Sequence, residues 1–299
     1  MKNLDVIGKS KIWLSISGLL VIASIISVAV FGINYGIDFT GGTLMDITFQ
    51  NEVSLDDLRS TYSDAGYGAT VQKTDETSFI ARLSSLTQEQ HTQVNSLLEE
   101  RFGGFEENRY ETIGSVIGQE LKGSSAKAIL LLLGLIVLYI AWAFRKVSEP
   151  VKSWKYGIIT IVAAFHDVVI PLGVFSVLGH FYGYEVNTAF IAALLTIMGY
   201  SINDTIVIFD RTRENLVNHR NASKEFGEIV NMSVVQSFAR SINTSLTTII
   251  VLMAILFFGG ETTRPFVLAL IIGITTGTYS SIFVASPLLV YWEKWKSRR

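Results

Sequence analysis

An acidic residue interrupts a long apolar segment of this chain. Residues 189–209 form a run that is long enough to cross a bilayer, yet it contains Asn203 and Asp204 side by side. A charged side chain at membrane depth costs at least about 2.5–3.5 kcal/mol on insertion scales, so it is expected to have a function. Because a carboxyl group can bind and release a proton, the chemistry first indicated is ion binding inside a membrane.

Other polar residues fall inside apolar runs and are candidates for the same chemistry. Arg240 lies near one end of a run at 239–258 and is the natural electrostatic partner of Asp204, although it could instead extend to the membrane surface. His166 and Asp167 form a second ionisable pair near the middle of another run. A proton relay and a contact between helices are equally good interpretations of this pair. Asn203 and Thr247 are further candidates for either role.

The composition excludes several classes of site. The chain has 299 residues, no cysteine and four histidines, none of them in a metal-ligand spacing. Disulfides and thiolate metal sites are therefore excluded. No phosphate-binding glycine loop is present, so ATP hydrolysis is not expected. We expect a protein that is not an enzyme, binds no cofactor, metal or nucleic acid, and draws any work from another source.

The apolar runs predict a membrane protein with six spans. Hydrophobic residues make up 49% of the chain and charged residues 17%. A span needs about 20 mostly apolar residues. The predicted spans are 12–31, 126–144, 156–178, 189–209, 239–258 and 266–292. In the last of these, Gly273, Gly277 and Ser281 form a small-residue stripe typical of close helix contacts. An amphipathic cytoplasmic helix is predicted at 223–238.

The distribution of charge predicts the orientation of the spans. Residues 32–122 contain 15 acidic and 6 basic residues, whereas the remainder contains 11 acidic and 18 basic residues. The positive-inside rule therefore places both termini in the cytoplasm and residues 32–122 outside. The basic residues that decide this are Lys2, Lys9 and Lys11, then Arg145, Lys146, Lys152 and Lys155, then Arg211, Arg213, Arg220 and Lys224, and finally Lys294, Lys296, Arg298 and Arg299.

Three segments follow from this topology. Residues 1–31 are the cytoplasmic N-terminus and first span, residues 32–122 an extracytoplasmic domain, and residues 123–299 a bundle of five further spans. A cleaved signal peptide is the alternative interpretation of the first span, because Ser27, Val28 and Ala29 form a small-x-small site. The apolar run is long for a signal peptide, which favours a retained span.

The extracytoplasmic segment predicts alternating strands and helices. Strands are indicated at 43–49, 69–73, 77–83 and 105–113, and two capping boxes, at Ser54 and Thr87, open the intervening helices. The order β-α-β-β-α-β is the ferredoxin-like arrangement of an α+β domain. His91 lies on a polar helix face without an obvious partner, so we expect it to be solvated.

Three motifs resemble the SecD/SecF family of the bacterial Sec protein-export machinery. Residues 36–43 (GIDFTGGT) are similar to the signature shared by both members of that family, and they contain Gly36, Asp38, Phe39, Gly41 and Gly42. Residues 199–205 (GYSINDT) with 210–215 (DRTREN) resemble the fourth-helix motif, and residues 240–248 (RSINTSLTT) the fifth-helix motif. Thr212 departs from the aliphatic residue that is common at its position.

The resemblance implies a fold, a function and partners. The fold would be a six-helix bundle of the RND transporter superfamily, paired with a SecD subunit by pseudo-twofold symmetry. The protein would use the proton-motive force to promote export of a preprotein at the cytoplasmic membrane of a bacterium. Its partners would be the SecYEG translocon, small membrane subunits associated with it, and membrane lipid. By motif position, Asp204 and Arg240 would be the proton-coupling residues. Sodium could replace the proton.

Two other functions are compatible with these motifs. One is a proton-coupled transporter of small solutes, since the same bundle type serves efflux. The other is a passive scaffold of the translocon.

Overall fold

The computed structural model describes residues 4–143, 153–219 and 224–297. Some residues that carry the orientation prediction lie outside the described residues, together with residue 144 at the end of the second predicted span. These basic residues are Lys2, Arg145, Lys146, Lys152, Arg220, Arg298 and Arg299.

Helices dominate the chain, with one group of strands near its beginning. The elements in chain order are α1 (Ser10–Phe31), α2 (Ile37–Thr40), β1 (Gly42–Phe49), α3 (Leu55–Asp64), β2 (Thr70–Lys73), β3 (Ser78–Leu83), α4 (Gln88–Phe102), β4 (Phe105–Ile113), α5 (Ser115–Ala143), α6 (Ser153–Tyr182), α7 (Thr188–Asn218), α8 (Phe226–Phe258), α9 (Arg264–Ser280), a π-helical turn (Ser281–Ala285) and α10 (Ser286–Ser297).

The chain forms two compact units. The helical unit consists of Met1–Ile33, Ala128–Tyr184 and Ala189–Arg299, and the sheet unit consists of Asn34–Lys127 and Glu185–Thr188. The short segment Glu185–Thr188, between α6 and α7, therefore belongs to the sheet unit although it is distant from that unit in sequence.

The six-span prediction is confirmed. Among the described residues, six helices are long and apolar enough to cross a membrane, and the last of them runs from α9 through the π-helical turn into α10. The amphipathic helix predicted at 223–238 is helical from Phe226 onward, but it is not separate from the fifth span, because α8 continues from Phe226 to Phe258 without a break. Once a helix has formed, each added residue gains a hydrogen bond, and no proline interrupts this stretch. Residue 223 lies outside the described residues.

The core of the helical unit is built by α6, α7, α8 and the last span. Its largest fully buried side chains include Tyr156, Phe175, Phe190 and Phe209. Much of α1 carries exposed apolar side chains, which suits a helix in contact with lipid.

The small-residue stripe of the last span makes the predicted close contact. A Cβ atom added at Gly277 would lie 2.8 Å from the Cβ of Ser201, and one added at Gly273 would lie 2.1 Å from Cδ1 of Ile197. Glycine at these positions allows α9 to approach α7 closely, as small residues commonly do between membrane helices.

The sheet unit contains a four-stranded antiparallel sheet with the strand order β2-β3-β1-β4. Alternate residues of β1 and β3 enter its core, where Met45, Ile47, Phe79 and Ala81 are fully buried. The side chains of α3 and α4 that pack on this core include Leu58, Tyr62, Val94 and Leu98.

Two local predictions in the sheet unit need correction. The capping box at Thr87 forms with Gln90, but the side chain of Ser54 makes no capping hydrogen bond to α3. His91 is not solvated: only 8% of it is exposed, and its Nε2 lies 2.8 Å from Oε1 of Glu107. Its ring stacks on Tyr110 with centroids 3.9 Å apart. The sequence did not reveal this burial, because both contacts come from β4 and not from the helix that carries His91.

Candidate functional site

Asp204 is a buried acid with an unsatisfied oxygen. It lies on α7, is only 4% exposed, and its Oδ2 has no hydrogen-bond partner among the described residues. The hydroxyl of Ser241, on α8, is buried and unpartnered in the same sense. A buried carboxyl group that lacks a full set of partners is suited to gaining and losing a proton.

Arg240 lies on α8, next to Ser241 in sequence. No salt bridge joins the side chains of Arg240 and Asp204 in the part of the chain that the structure describes, and Arg240 is exposed on the helical unit. It lines a cavity of about 450 Å³ between α5, α7 and α8, together with Asp210 and Arg213. The guanidinium therefore has room to change position relative to the carboxylate.

His166 and Asp167 lie at the centre of a second buried polar cluster. Asp167 is 0% exposed, and its Oδ1 lies 2.8 Å from Nδ1 of His166. Its Oδ2 accepts hydrogen bonds of 2.5 Å from Ser201 on α7 and 2.7 Å from Ser280 on α9. The Nε2 of His166 is buried without a hydrogen-bond partner among the described residues. Three helices thus converge on one carboxylate.

The cluster continues along α7 and into the π-helical turn. The hydroxyl of Ser281 donates a 3.1 Å hydrogen bond to the carbonyl oxygen of Ser201 and lies 2.8 Å from the hydroxyl of Thr205. Ser201 is one helical turn before Asp204, so α7 carries both polar sets on neighbouring faces. A shift of this helix would change both together.

Asn203 and Thr247 lie outside both clusters. Each is exposed on the surface of the helical unit, and the hydroxyl of Thr247 donates to carbonyl oxygens of its own helix. Other serine and threonine residues of α8 do make contacts between helices. The hydroxyl of Ser245 hydrogen-bonds that of Thr278, the hydroxyl of Ser233 accepts a hydrogen bond from Asn215, and the hydroxyls of Thr248 and Tyr200 lie 3.4 Å apart.

The signature residues Gly36 to Gly42 form a tight segment of the sheet unit. Gly41 and Gly42 have φ angles of +73° and +133°, which side-chain-bearing residues rarely adopt. A Cβ atom at Gly41 would lie 2.8 Å from Cα of Ser115, and one at Gly42 would lie 2.7 Å from the carbonyl oxygen of Leu83. The paired glycines therefore serve the backbone. Phe39 is buried at 7% exposure.

The same segment holds the residues that precede α7. The N–H of Gly36 donates to the carbonyl oxygen of Val186 at 3.0 Å, and the N–H of Val186 donates to that of Asn34 at 2.8 Å. Oδ2 of Asp38 accepts hydrogen bonds from the N–H of Thr188 at 2.7 Å and from its hydroxyl at 2.5 Å.

Sequence reasoning missed an ion pair at this point. Glu185 is bound by Arg82 of β3. Burial raises the pKa of Glu185 above its ordinary value, although the nearby charge of Arg82 opposes that shift. The available signal was that Glu185 is the one acid in residues 179–188, the connection between two predicted spans. The buried serines of α7 and α9 gave none, because serine is common in membrane helices.

Metal binding finds no support in the described ranges 4–143, 153–219 and 224–297, where no group of three or more histidine and acidic residues is placed to hold an ion.

Comparisons with known proteins assign the chain to a family. It matches the family described as protein export membrane protein SecD/SecF, C-terminal, over residues 93–295, and the SecD/SecF GG motif over residues 26–53. It is 43% identical to the protein translocase subunit SecF of Thermobaculum terrenum, over 93% of this chain and 90% of that protein. It is 35% identical to the SecF subunit of Anaerolinea thermophila, over 98% of this chain and 96% of that protein.

Solved structures agree with this assignment. The crystal structure of SecDF from Thermus thermophilus, described as a translocon-associated membrane protein, aligns with a TM-score of 0.85 at 37% identity. The alignment covers 97% of this chain and 39% of the SecDF chain. A super-membrane-facing form of SecDF aligns with a TM-score of 0.71 at 36% identity. The chain belongs to the SecD/SecF family of protein export membrane proteins.

Proposed function

We propose that this chain is a SecF subunit that uses the proton-motive force to promote export of polypeptides across the cytoplasmic membrane of a bacterium. Its relatives are named protein translocase subunits, and the alignments with this chain cover 90% and 96% of their length. The observation that carries the coupling mechanism is Asp204, a buried acid in a membrane-spanning helix with one oxygen left unpartnered among the described residues. No cofactor is needed, and sodium is the alternative coupling ion.

The proposed mechanism begins with protonation of Asp204. In its charged form the carboxylate attracts Arg240, and in its neutral form it does not. Loss of that attraction lets α7 and α8 change their positions, and the extracytoplasmic domain then moves. One charge that crosses about 100 mV gains about 2.3 kcal/mol, which is enough to shift a two-state equilibrium more than tenfold.

The proposed topology places the sheet unit outside the membrane and both termini in the cytoplasm. The positive-inside rule supports this orientation through Lys9, Lys11, Lys155 and Lys294 among the described residues. We propose that the sheet unit is a ferredoxin-like domain. Its β-α-β-β-α-β element order and antiparallel strand order β2-β3-β1-β4 support that assignment.

We propose a SecD subunit as the direct partner. Asn203, Arg240, Asn243 and Thr247 are exposed on α7 and α8, and polar groups at membrane depth are costly when they face lipid. A second membrane protein that covers this face would remove that cost. The solved SecDF relatives support this choice, since this chain corresponds to 39% of them. Further proposed partners are the SecYEG translocon, the translocating preprotein and membrane lipid.

The test is export of a secreted reporter in cells that carry Asp204→Asn, with and without an uncoupler. We expect the uncoupler-sensitive part of export to be lost in the variant at normal membrane levels. Thr196→Ala is the matched control, because Thr196 is exposed on the same helix and its hydroxyl donates to its own backbone. Unchanged export and uncoupler sensitivity in Asp204→Asn would refute the coupling role and favour a scaffold. Export that follows the sodium gradient instead would identify the alternative ion.

A further inference from the structure

We propose that Asp38 is a positioning residue for Asp204: it holds the first turn of α7, and through that helix it sets where the Asp204 carboxyl group lies. The inference rests on the proposed coupling role of Asp204. It also gives a role to Asp38, one of the signature positions.

The contact is well suited to fixing the start of a helix. Thr188 is the first residue of α7, and its N–H has no partner within the helix. Asp38 accepts this N–H at 2.7 Å and the Thr188 hydroxyl at 2.5 Å with the same oxygen. A carboxylate at a helix N-terminus is also favoured by the helix dipole, and hydrogen bonds to a charged acceptor are the stronger ones.

Two further contacts fix the residues just before Thr188. Val186 pairs with Tyr35 in a parallel β-bridge, and Glu185 forms an ion pair with Arg82. Gly36 makes this approach possible, since an added Cβ atom would lie 3.1 Å from both the Cβ of Asn187 and Oε2 of Glu185. The segment Glu185–Thr188 is therefore held at three points, by Arg82, Tyr35 and Asp38, and of these Asp38 is the one that touches α7 itself.

The helix can transmit the position of its first turn. α7 runs unbroken from Thr188 to Asn218 and contains no proline. Asp204 follows Thr188 by 16 residues, which is about 24 Å at about 1.5 Å per residue. Ser201 on the same stretch contacts Asp167, so a displaced α7 would also disturb the second buried carboxylate. A merely local anchor would leave both carboxyl groups unaffected.

The first experiment measures Asp204 directly and does not depend on export. A carbodiimide reacts with protonated carboxyl groups in membranes. The full chain is purified with its SecD partner and treated with the reagent over a range of pH. Mass spectrometry then gives the fraction of Asp204 that is modified at each pH. We expect Asp38→Ala to shift the midpoint of that profile, whereas Asp38→Asn, which keeps an acceptor oxygen, should shift it less. Glu52→Gln, an exposed acid of the sheet unit, is the control. An unshifted profile in Asp38→Ala would overturn the proposal.

The second experiment restores the contact by a different bond. The chain contains no cysteine, so Tyr35→Cys with Val186→Cys introduces one defined pair at the β-bridge. Bridged neighbours lie within disulfide range. In the Asp38→Ala background, oxidation of this pair should return the Asp204 profile and the uncoupler-sensitive export to the level of the cysteine pair alone, and reduction should remove both.

The outcomes separate this inference from the proposed function. If Asp204→Asn exports normally but Asp38→Ala still shifts the Asp204 profile, the coupling role is wrong and the positioning role stands. If Asp38→Ala loses uncoupler-sensitive export with an unshifted profile, the positioning role is wrong. If the oxidised pair fails to rescue a shifted profile, the effect of Asp38 does not pass through the segment Glu185–Thr188, and the proposal fails.

Discussion

The hydroxyl of Ser201 donates a 2.5 Å hydrogen bond to Asp167, and Ser201 lies one helical turn before Asp204 on the same helix. Two buried carboxyl groups therefore depend on α7. Asp204 belongs to this helix, and Asp167 of α6 is hydrogen-bonded to it. This arrangement gives α7 a larger role than that of a carrier for Asp204, because its position determines the environment of both acids.

We predict that Ser201→Ala lowers the stability of the protein by about 1–3 kcal/mol, the cost of leaving a buried acceptor without its donor. Asp167 has no exposure to water that could replace the lost bond. Thermal unfolding in detergent measures the effect, with Thr196→Ala as the control on the same helix. Equal stability of the two variants would mean that Ser280 alone satisfies this oxygen of Asp167.

Arg240 should tolerate lysine better than a neutral residue. Since no direct ion pair with Asp204 is present in the described residues, the charge matters more than the fork geometry of the guanidinium. Arg240→Lys should keep most of the uncoupler-sensitive export, whereas Arg240→Gln should lose it. Export assays at matched membrane levels distinguish the two. Equal loss in both variants would instead indicate a geometric role for the guanidinium.

The contact between α9 and α7 should not accept larger side chains. Gly277→Ala places a methyl group 2.8 Å from the Cβ of Ser201, and overpacking of this kind costs about 1–3 kcal/mol. Gly134→Ala on α5 is the matched control, since nothing lies within 4 Å of its added Cβ. There, alanine should be neutral or stabilising, as is usual in a helix. Thermal unfolding compares the variants, and similar melting temperatures would contradict the close packing.

Glu185 should make stability depend on pH. Its pKa is raised mainly by burial; Arg82 and Arg109 oppose the shift and Asp38 adds to it. Because the folded-state pKa lies above the unfolded value, which is about 4.3 for glutamate, the contribution of Glu185 to stability is fully present below the unfolded pKa and is lost as pH rises through the folded pKa. Glu185→Gln should reduce this slope.

The measurement for Glu185 is the unfolding temperature of the full chain between acid and neutral pH. The control is Glu76→Gln, an exposed acid of the sheet unit. If the unfolding temperature changes with pH by the same amount in wild type and in Glu185→Gln, Arg82 compensates fully for the burial of Glu185.

The membrane spans were predictable because each contains enough apolar residues in sequence to cross a bilayer, even where Asp204 or Arg240 interrupts the run. The strands of the sheet unit were predictable for a similar reason, since β1 alternates between buried and polar residues in the way that a half-buried strand requires. The continuity of α8 was not predictable, because its polar first half and apolar second half have different periodicities although one backbone helix serves both. His91 was misjudged because its burial depends on Glu107 and Tyr110, which are distant in sequence.

The sequence by itself determined the class of protein, the six spans and the identity of Asp204 and Arg240 as candidates, because the cost of polar groups in an apolar run is a local property. Only the tertiary structure decided which groups meet. The contacts of Asp167 with Ser201 and Ser280, and of Asp38 with Thr188, join residues from separate helices or separate parts of the chain. Such contacts depend on the packing of complete elements, which no single segment specifies.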